Sequence, residues 1–255
     1  MSFFRKIIVL FETNGVLAVC KPAGLPTQAP WGIESVESLI RRQKFQSLFK
    51  ESIATGGKRH PGGFLGVPHR LDRAVSGIIL LASTPRAARQ LSRQFERREI
   101  RKTYIAIVKQ RMGEAIKVEP FFWQDEIRKV PNEPRVEIAK SSDSNTKLAQ
   151  TRGRVLASHG GFHALELHPE TGRMHQLRVQ AARHGMPIVG DSLYDNVSAE
   201  DIDTIRNRPI ALHARSIEYV DPESNQSVIA RAPIPDISLW NSWHHTLSTQ
   251  EHEQS

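Results

Sequence analysis

Two short runs of β-prone apolar residues open the chain, Ile7–Phe11 and Val16–Lys21, separated by Asn14-Gly15, a dipeptide suited to a hairpin turn. Lys21-Pro22-Ala23-Gly24 breaks that pattern, and Pro22, Pro26 and Pro30 keep the following stretch extended. Between Ser35 and Lys50 apolar residues recur at Val36, Leu39, Ile40, Phe45, Leu48 and Phe49, which predicts an amphipathic helix. The Gly/Pro-rich segment 54–66, with Lys58, Arg59 and His60, reads as a surface loop, either a phosphate contact or a solvated connection. Ile78–Ala82 is a continuous apolar run of strand length. Thr84 is placed to cap a helix that begins at Pro85, where the missing N–H costs nothing, and runs to about Arg98. Tyr104–Val108 predicts a further strand.

Farther on, Lys147–Ala157 and Phe162–His168 read as paired strands around His159-Gly160-Gly161. Pro169–Gly172 makes a turn, a helix is predicted over Met174–His184 with Gly185 as its stop, and Ala211–Val220 and Val228–Ala232 supply later strands. Hairpin-length connections outnumber crossover helices. The expected fold is therefore α/β of the α+β kind, a mixed and mainly antiparallel central sheet flanked by helices and loops. One domain is expected over residues 1–243, with Trp240 and Trp243 covering its core and a polar tail over 244–255.

Composition narrows the function classes. Hydrophobic residues make up 39% and charged residues 24% of the 255, the profile of a soluble globular chain. No apolar run approaches the roughly 20 residues of a spanning helix, and the basic-then-apolar start lacks a small-residue cleavage site. Cys20 is the only cysteine, which excludes an internal disulfide and a thiolate metal cage and fits a reducing, cytoplasmic setting. The net charge of +8 suits a polyanionic partner, and its distribution sharpens the point. On the helix after Thr84, Ala88, Leu91 and Phe95 are expected on one face and Arg86, Arg89, Arg93 and Arg97 on another, with Arg98, Arg101 and Lys102 extending the charge. Such a face is usually just solvated, but an almost single-sign row fits a phosphate track.

The densest chemistry lies in His69-Arg70-Leu71-Asp72-Arg73-Ala74-Val75-Ser76-Gly77, just ahead of a buried strand. Taken alone, an Asp between two arginines is more often a salt-bridged structural carboxylate than a reactive one. The second cluster is Glu170-Thr171-Gly172-Arg173-Met174-His175-Gln176-Leu177-Arg178-Val179. On a helix, Met174, Arg178 and Ala181-Ala182 share a face with apolar neighbours, so Arg178 is half-buried and needs a carboxylate, for which Asp72 is the candidate. His159, His163, His168 and His175 match no standard metal spacing, so no metal site is expected. Burial in a strand is the stronger reading of Cys20, against a thiol activated by Lys21.

The string HRLDRAVSG resembles the signature of the RluA family of pseudouridine synthases. KPAG at Lys21–Gly24, RKTYIAIV at Arg101–Val108, TGRMHQLRV at Thr171–Val179 and PIVGDSLY at Pro187–Tyr194 resemble that family's other motifs, in order, so the similarity covers Val16 to Ala232. The resemblance implies the pseudouridine synthase fold and a cofactor-free isomerisation of uridine in ribosomal or transfer RNA. It implies Asp72 as catalytic carboxylate, Tyr104 stacked on the target base, Arg178 paired with Asp72, and Arg70 filling the gap left by the flipped uridine. Arg73, Lys102, Arg173 and His175 join the row Arg86, Arg89, Arg93 and Arg97 as candidate RNA contacts. Val75, Met174 and Gln180 depart from the family's usual Thr, small hydroxyl residue and His, without removing a catalytic group. With KPAG starting at Lys21 no N-terminal S4-type domain is expected, so the catalytic domain is expected to bind RNA alone; a monomer with no obligatory protein partner is the separate default expectation. The rivals are a metal-dependent phosphodiesterase using His69, Asp72, His175 and Asp191, and a non-catalytic RNA-binding module.

Overall fold

The structure, a computed structural model, describes residues 6–45, 63–111, 119–140, 143–195 and 208–247. The expected residues 46–50 of the first helix, most of loop 54–66 and the end of the tail lie outside these. The chain divides into two compact units, Met1–Ile100 with Ser216–Ala232, and Arg101–Arg215 with Pro233–Ser255.

In the first unit β1 (Ile8–Glu12) and β2 (Val16–Lys21) form the expected hairpin, and β2 pairs antiparallel with β3 (Ser76–Ala82) from Val16↔Ala82 to Lys21↔Gly77. Every residue of β3 is buried, which is why its sequence shows no alternation. Helix α1 (Val36–Lys44) starts at a capping box made by Ser35 and Ser38, each side chain meeting the other's backbone N–H. Helix α2 (Pro85–Glu96) is capped by Thr84, whose Oγ1 accepts from Ala87 N–H at 3.1 Å. A Cβ at Gly15 would stand 3.0 Å from the Ala87 Cβ, so the hairpin turn meets α2 closely. The buried stripe of α2 is Ala87, Leu91 and Gln94, one residue off the expected Ala88 and Phe95. A polar residue was passed over there: the Gln94 amide grips both backbone groups of Val220, at 2.8 and 2.9 Å.

In the second unit neighbouring strands run β4 (Arg101–Lys109), β8 (Phe162–Pro169), β7 (Lys147–His159), β5 (Phe121–Lys129) and β6 (Val136–Ile138). All these pairs are antiparallel. Strand β9 (Leu212–Val220) belongs to both units, and its end pairs antiparallel with β10 (Ser227–Arg231) in the first. The β7–β8 turn is Gly160-Gly161, with φ of 58° and 78°, a left-handed pair that side chains rarely tolerate. Helix α3 (Gln176–Arg183) packs on β5 and β6, where Val179 joins Ile127, Val136 and Ala149 in one apolar cluster. Trp240 and Trp243 are buried as expected. The mixed, mainly antiparallel α+β class therefore holds.

Candidate active site

Asp72 sits in the loop that feeds β3, and three neighbours fix that loop's backbone. Lys21, fully buried at the end of β2, donates through Nζ to the carbonyls of Pro22, Arg73 and Val75 at 2.9, 3.1 and 2.6 Å. Thr27 Oγ1 both donates to the Leu71 carbonyl, at 3.0 Å, and accepts the Leu71 N–H, at 3.1 Å. His69 accepts the Leu80 N–H at Nε2, 2.9 Å, and stacks on Phe95 with ring centroids 4.4 Å apart. The Val75 N–H then closes a turn onto the Asp72 carbonyl at 3.1 Å. A buried ammonium is held only where several acceptors replace its water, so KPAG and the Asp72 loop are one built object. Burial pushes the Cys20 thiol up, against the opposing pull of Lys21, consistent with packing rather than reactivity. Arg70 is exposed and Arg73 half-buried beside Asp72, and Arg86, Arg89, Arg93 and Arg97 are all exposed on α2.

The second unit holds Tyr104, Lys102, Arg173, His175 and Arg178. Tyr104 on β4 is opposite Leu167, and Leu167 is opposite Gly153. Opposed residues point to one side of a sheet, so Tyr104 shares the face on which Thr151 and Ala149 meet α3. Lys102 is half-buried at the start of β4.

Helix α3 begins two residues later than expected, because His175 adopts a left-handed φ of 50° and Met174 lies outside the helix, 42% exposed. Arg178 is buried to 5% exposure, deeper than anticipated. Its guanidinium forms a two-pronged pair with Asp191, Nε to Oδ2 and Nη2 to Oδ1, both 2.7 Å. Gly190, at φ 85° and with a prospective Cβ 3.0 Å from the Pro209 carbonyl, makes the turn that brings Asp191 there. The Arg178 guanidinium also lies 5.3 Å over the Tyr194 ring. Tyr194 OH accepts the Val136 N–H at 3.1 Å and bonds His175 Nδ1 at 2.9 Å. Arg173 Nε donates to the Leu148 carbonyl at 3.1 Å.

Two buried glutamines hold α3 in place. Gln176 accepts from Thr171 Oγ1 and Arg173 N–H and donates to Gln150 O and Thr151 Oγ1, between 2.6 and 3.1 Å. Gln180 accepts from Thr151 Oγ1 at 2.7 Å and donates to Asp125 Oδ2 at 2.8 Å and to Ala149 O at 3.3 Å. Gln180 thus occupies its position as a satisfied amide, accepting one bond and donating two, where a neutral imidazole has a single donor. His184 also donates to Asp125, at 3.2 Å. Burial alone raises the Asp125 carboxyl, and the bonds from His184 and Gln180, with charge from His184 and Arg183, bring it below its ordinary value. Sequence reasoning missed Asp191, Gln176, Thr151 and Asp125 as positioning residues. Gln176 and Asp191 stand inside the quoted strings TGRMHQLRV and PIVGDSLY, whereas nothing local marked Thr151 or Asp125.

Among the described residues, no three His, Cys, Asp or Glu side chains converge as a ligand set. Of the rival metal set, Asp191 is taken by Arg178, His69 Nε2 by a backbone N–H, and His175 Nδ1 by Tyr194.

A family model described as RNA pseudouridylate synthase matches residues 15–183. An uncharacterized RNA pseudouridine synthase of Zymomonas mobilis is 35% identical over 231 residues, spanning 89% of this chain and 93% of that one. The dual-specificity RNA pseudouridine synthase RluA of Yersinia pestis is 34% identical over 221 residues, 85% and 94% of the two chains. The solved structure of human RNA pseudouridylate synthase domain containing 4 shares the fold, with a TM-score of 0.64 at 22% identity, covering 95% of this chain and 92% of that one.

Proposed function

The chain belongs to the RluA branch of the RNA pseudouridylate synthases, and on that premise we propose that Asp72 is the carboxylate with which it isomerises specific uridines of ribosomal or transfer RNA. The N1–C1′ bond breaks, the uracil turns over, and a C5–C1′ bond forms while C5 loses its proton and N1 gains one. Nothing is oxidised or reduced. The reaction needs a carboxylate at a fixed place, a platform for an unstacked base, and cations for the phosphates. Asp72 fills the first role, Tyr104 stacks on the uracil, and Arg178 supplies the cation that favours an ionised Asp72. Arg70 enters the space left by the flipped nucleotide. Arg73, Lys102, Arg173, His175 and the α2 arginines contact the RNA. The chain works as a monomer, in the cytoplasm.

The observation that carries this reading is the buried Lys21 gripping the backbone just after Asp72, at the Arg73 and Val75 carbonyls, which spends a desolvated charge on one loop's shape. The test is release of tritium from RNA labelled at C5 of uridine, with the modified site mapped by carbodiimide primer extension. Asp72→Asn is expected to lower the rate more than about 10³-fold while RNA affinity stays within about threefold. Tritium release by Asp72→Asn at the wild-type rate would refute the assignment. The mapped site decides between ribosomal and transfer RNA.

A further inference from the structure

Between two buried anchors, Thr27 and Ser35, the chain makes a seven-residue excursion, Gln28–Glu34, that is exposed or half-exposed throughout. Its ends are tied together. Val36 N–H donates to Pro26 O at 2.9 Å, Glu37 N–H to Thr27 O at 3.1 Å, and Gln28 Nε2 to Glu37 Oε2 at 2.8 Å. A turn from Ile33 N–H to Pro30 O, 3.2 Å, with Gly32 at φ 89°, sets the tip. Such a loop with pinned ends is compact and carries its tip residues in a defined place.

The tip holds Trp31, 62% exposed, and Ile33, 50% exposed. One exposed apolar residue is ordinary, but two on a pinned tip, one of them the largest ring available, form a platform. Its location gives the platform meaning. Thr27, the loop's root, is the residue that grips Leu71 from both sides, next to Asp72. Four residues from Thr27 to Trp31, one hydrogen bond and one residue from Leu71 to Asp72 put Trp31 within about 25 Å of Asp72. That is a reach of a few nucleotides, fixed to the same backbone that fixes the carboxylate.

We infer that Trp31 is a stacking platform for an unpaired base of the RNA, flanking the uridine presented to Asp72. The inference rests on the isomerase reading for what Asp72 does, and on its own geometry for base binding. An indole accepts any base face, so Trp31 contributes affinity and substrate register rather than reading a particular base. It takes no part in bond making.

The other three tryptophans, Trp123, Trp240 and Trp243, are buried, so Trp31 is the natural fluorescent reporter. Titrating the protein with single-stranded polyuridylate is expected to quench the acrylamide-accessible fluorescence, and Trp31→Phe to abolish that quench. Duplexed polyuridylate–polyadenylate, whose bases are already stacked, is expected to quench far less. Trp31→Ala is expected to weaken polyuridylate binding about 5- to 100-fold, with Trp31→Phe recovering most of it. On the mapped substrate Trp31→Ala is expected to raise KM by a similar factor and leave kcat within about twofold. An unchanged quench in Trp31→Phe, or Trp31→Ala binding single strands as the wild type does, would overturn the platform. The two readings fail separately. Wild-type protein that is quenched by polyuridylate but releases no tritium from uridine-labelled RNA counts against the isomerase assignment alone.

Discussion

Lys21 shows how one side chain converts a sequence motif into geometry. Its ammonium replaces three water contacts with three carbonyls, two of which, those of Arg73 and Val75, belong to the loop just after Asp72. Lys21→Met keeps the stem's volume and removes the charge, leaving those carbonyls buried without a donor. A loss of about 3 kcal/mol in urea unfolding is expected, together with a fall in tritium release larger than the stability loss accounts for. Asp191 is the counterpart in the second unit. Asp191→Asn keeps the shape but removes the charge from the buried two-pronged pair with Arg178, at about 3–5 kcal/mol by the same measurement. The residues proposed to carry chemistry were legible because Lys21, Asp72, Tyr104 and Arg178 stand in recognisable strings. The two-pronged pair of Arg178 with Asp191 was not. A pairing across 13 residues depends on the Gly190 turn, and no local spacing announces it.

At the scale of elements, α2 divides its labour by face. The stripe of Ala87, Leu91 and Gln94 seats it, and its arginines are left to solvent. Replacing Arg89 and Arg93 together by Gln is expected to leave stability within about 0.5 kcal/mol. It is also expected to flatten the slope of log RNA affinity against log salt by roughly 1 to 2. Unchanged slope would remove α2 from the RNA surface. Across β7 and β8, Glu166 accepts from His168 and Arg154, which outweigh its burial and hold its carboxyl down to about 2 from an ordinary 4.5. Its folded pKa lies below the unfolded one, so its stabilisation is full above the unfolded value and is lost as pH falls towards 2. Accordingly the stability advantage of wild type over Glu166→Gln, read from urea unfolding, is expected to be full at about pH 7 and much smaller at about pH 3. The hairpins and the Thr84 cap were readable because turn chemistry is local: Thr84 and Gly160-Gly161 act within a few residues. Strands β5 and β6 went unread, since Phe121–Lys129 mixes charge with apolar residues and becomes a strand only beside β7.

For the whole molecule, a net charge of +8 and a reaction of bond isomerisation together predict an enzyme sensitive to salt and indifferent to chelation. Tritium release is expected to persist after dialysis against EDTA; a loss restored by a divalent cation would instead implicate a metal in the rate-determining step. Each of the two compact units has its own buried polar network; Asp72 belongs to one unit, and Tyr104 and Arg178 to the other. The sequence by itself determined the fold class and the family and put forward Asp72 as the proposed carboxylate, because periodicity, turn residues and ordered motifs are properties of neighbours along the chain. The tertiary structure alone decided which polar groups are buried and how each is satisfied. Lys21 became a backbone clamp, Gln176 and Gln180 became anchors of α3, and Trp31 was left exposed while every other tryptophan was covered. Burial is fixed by what the rest of the chain brings alongside, and hydrogen-bond partners far apart in sequence are chosen only when the strands and turns between them have set the distance.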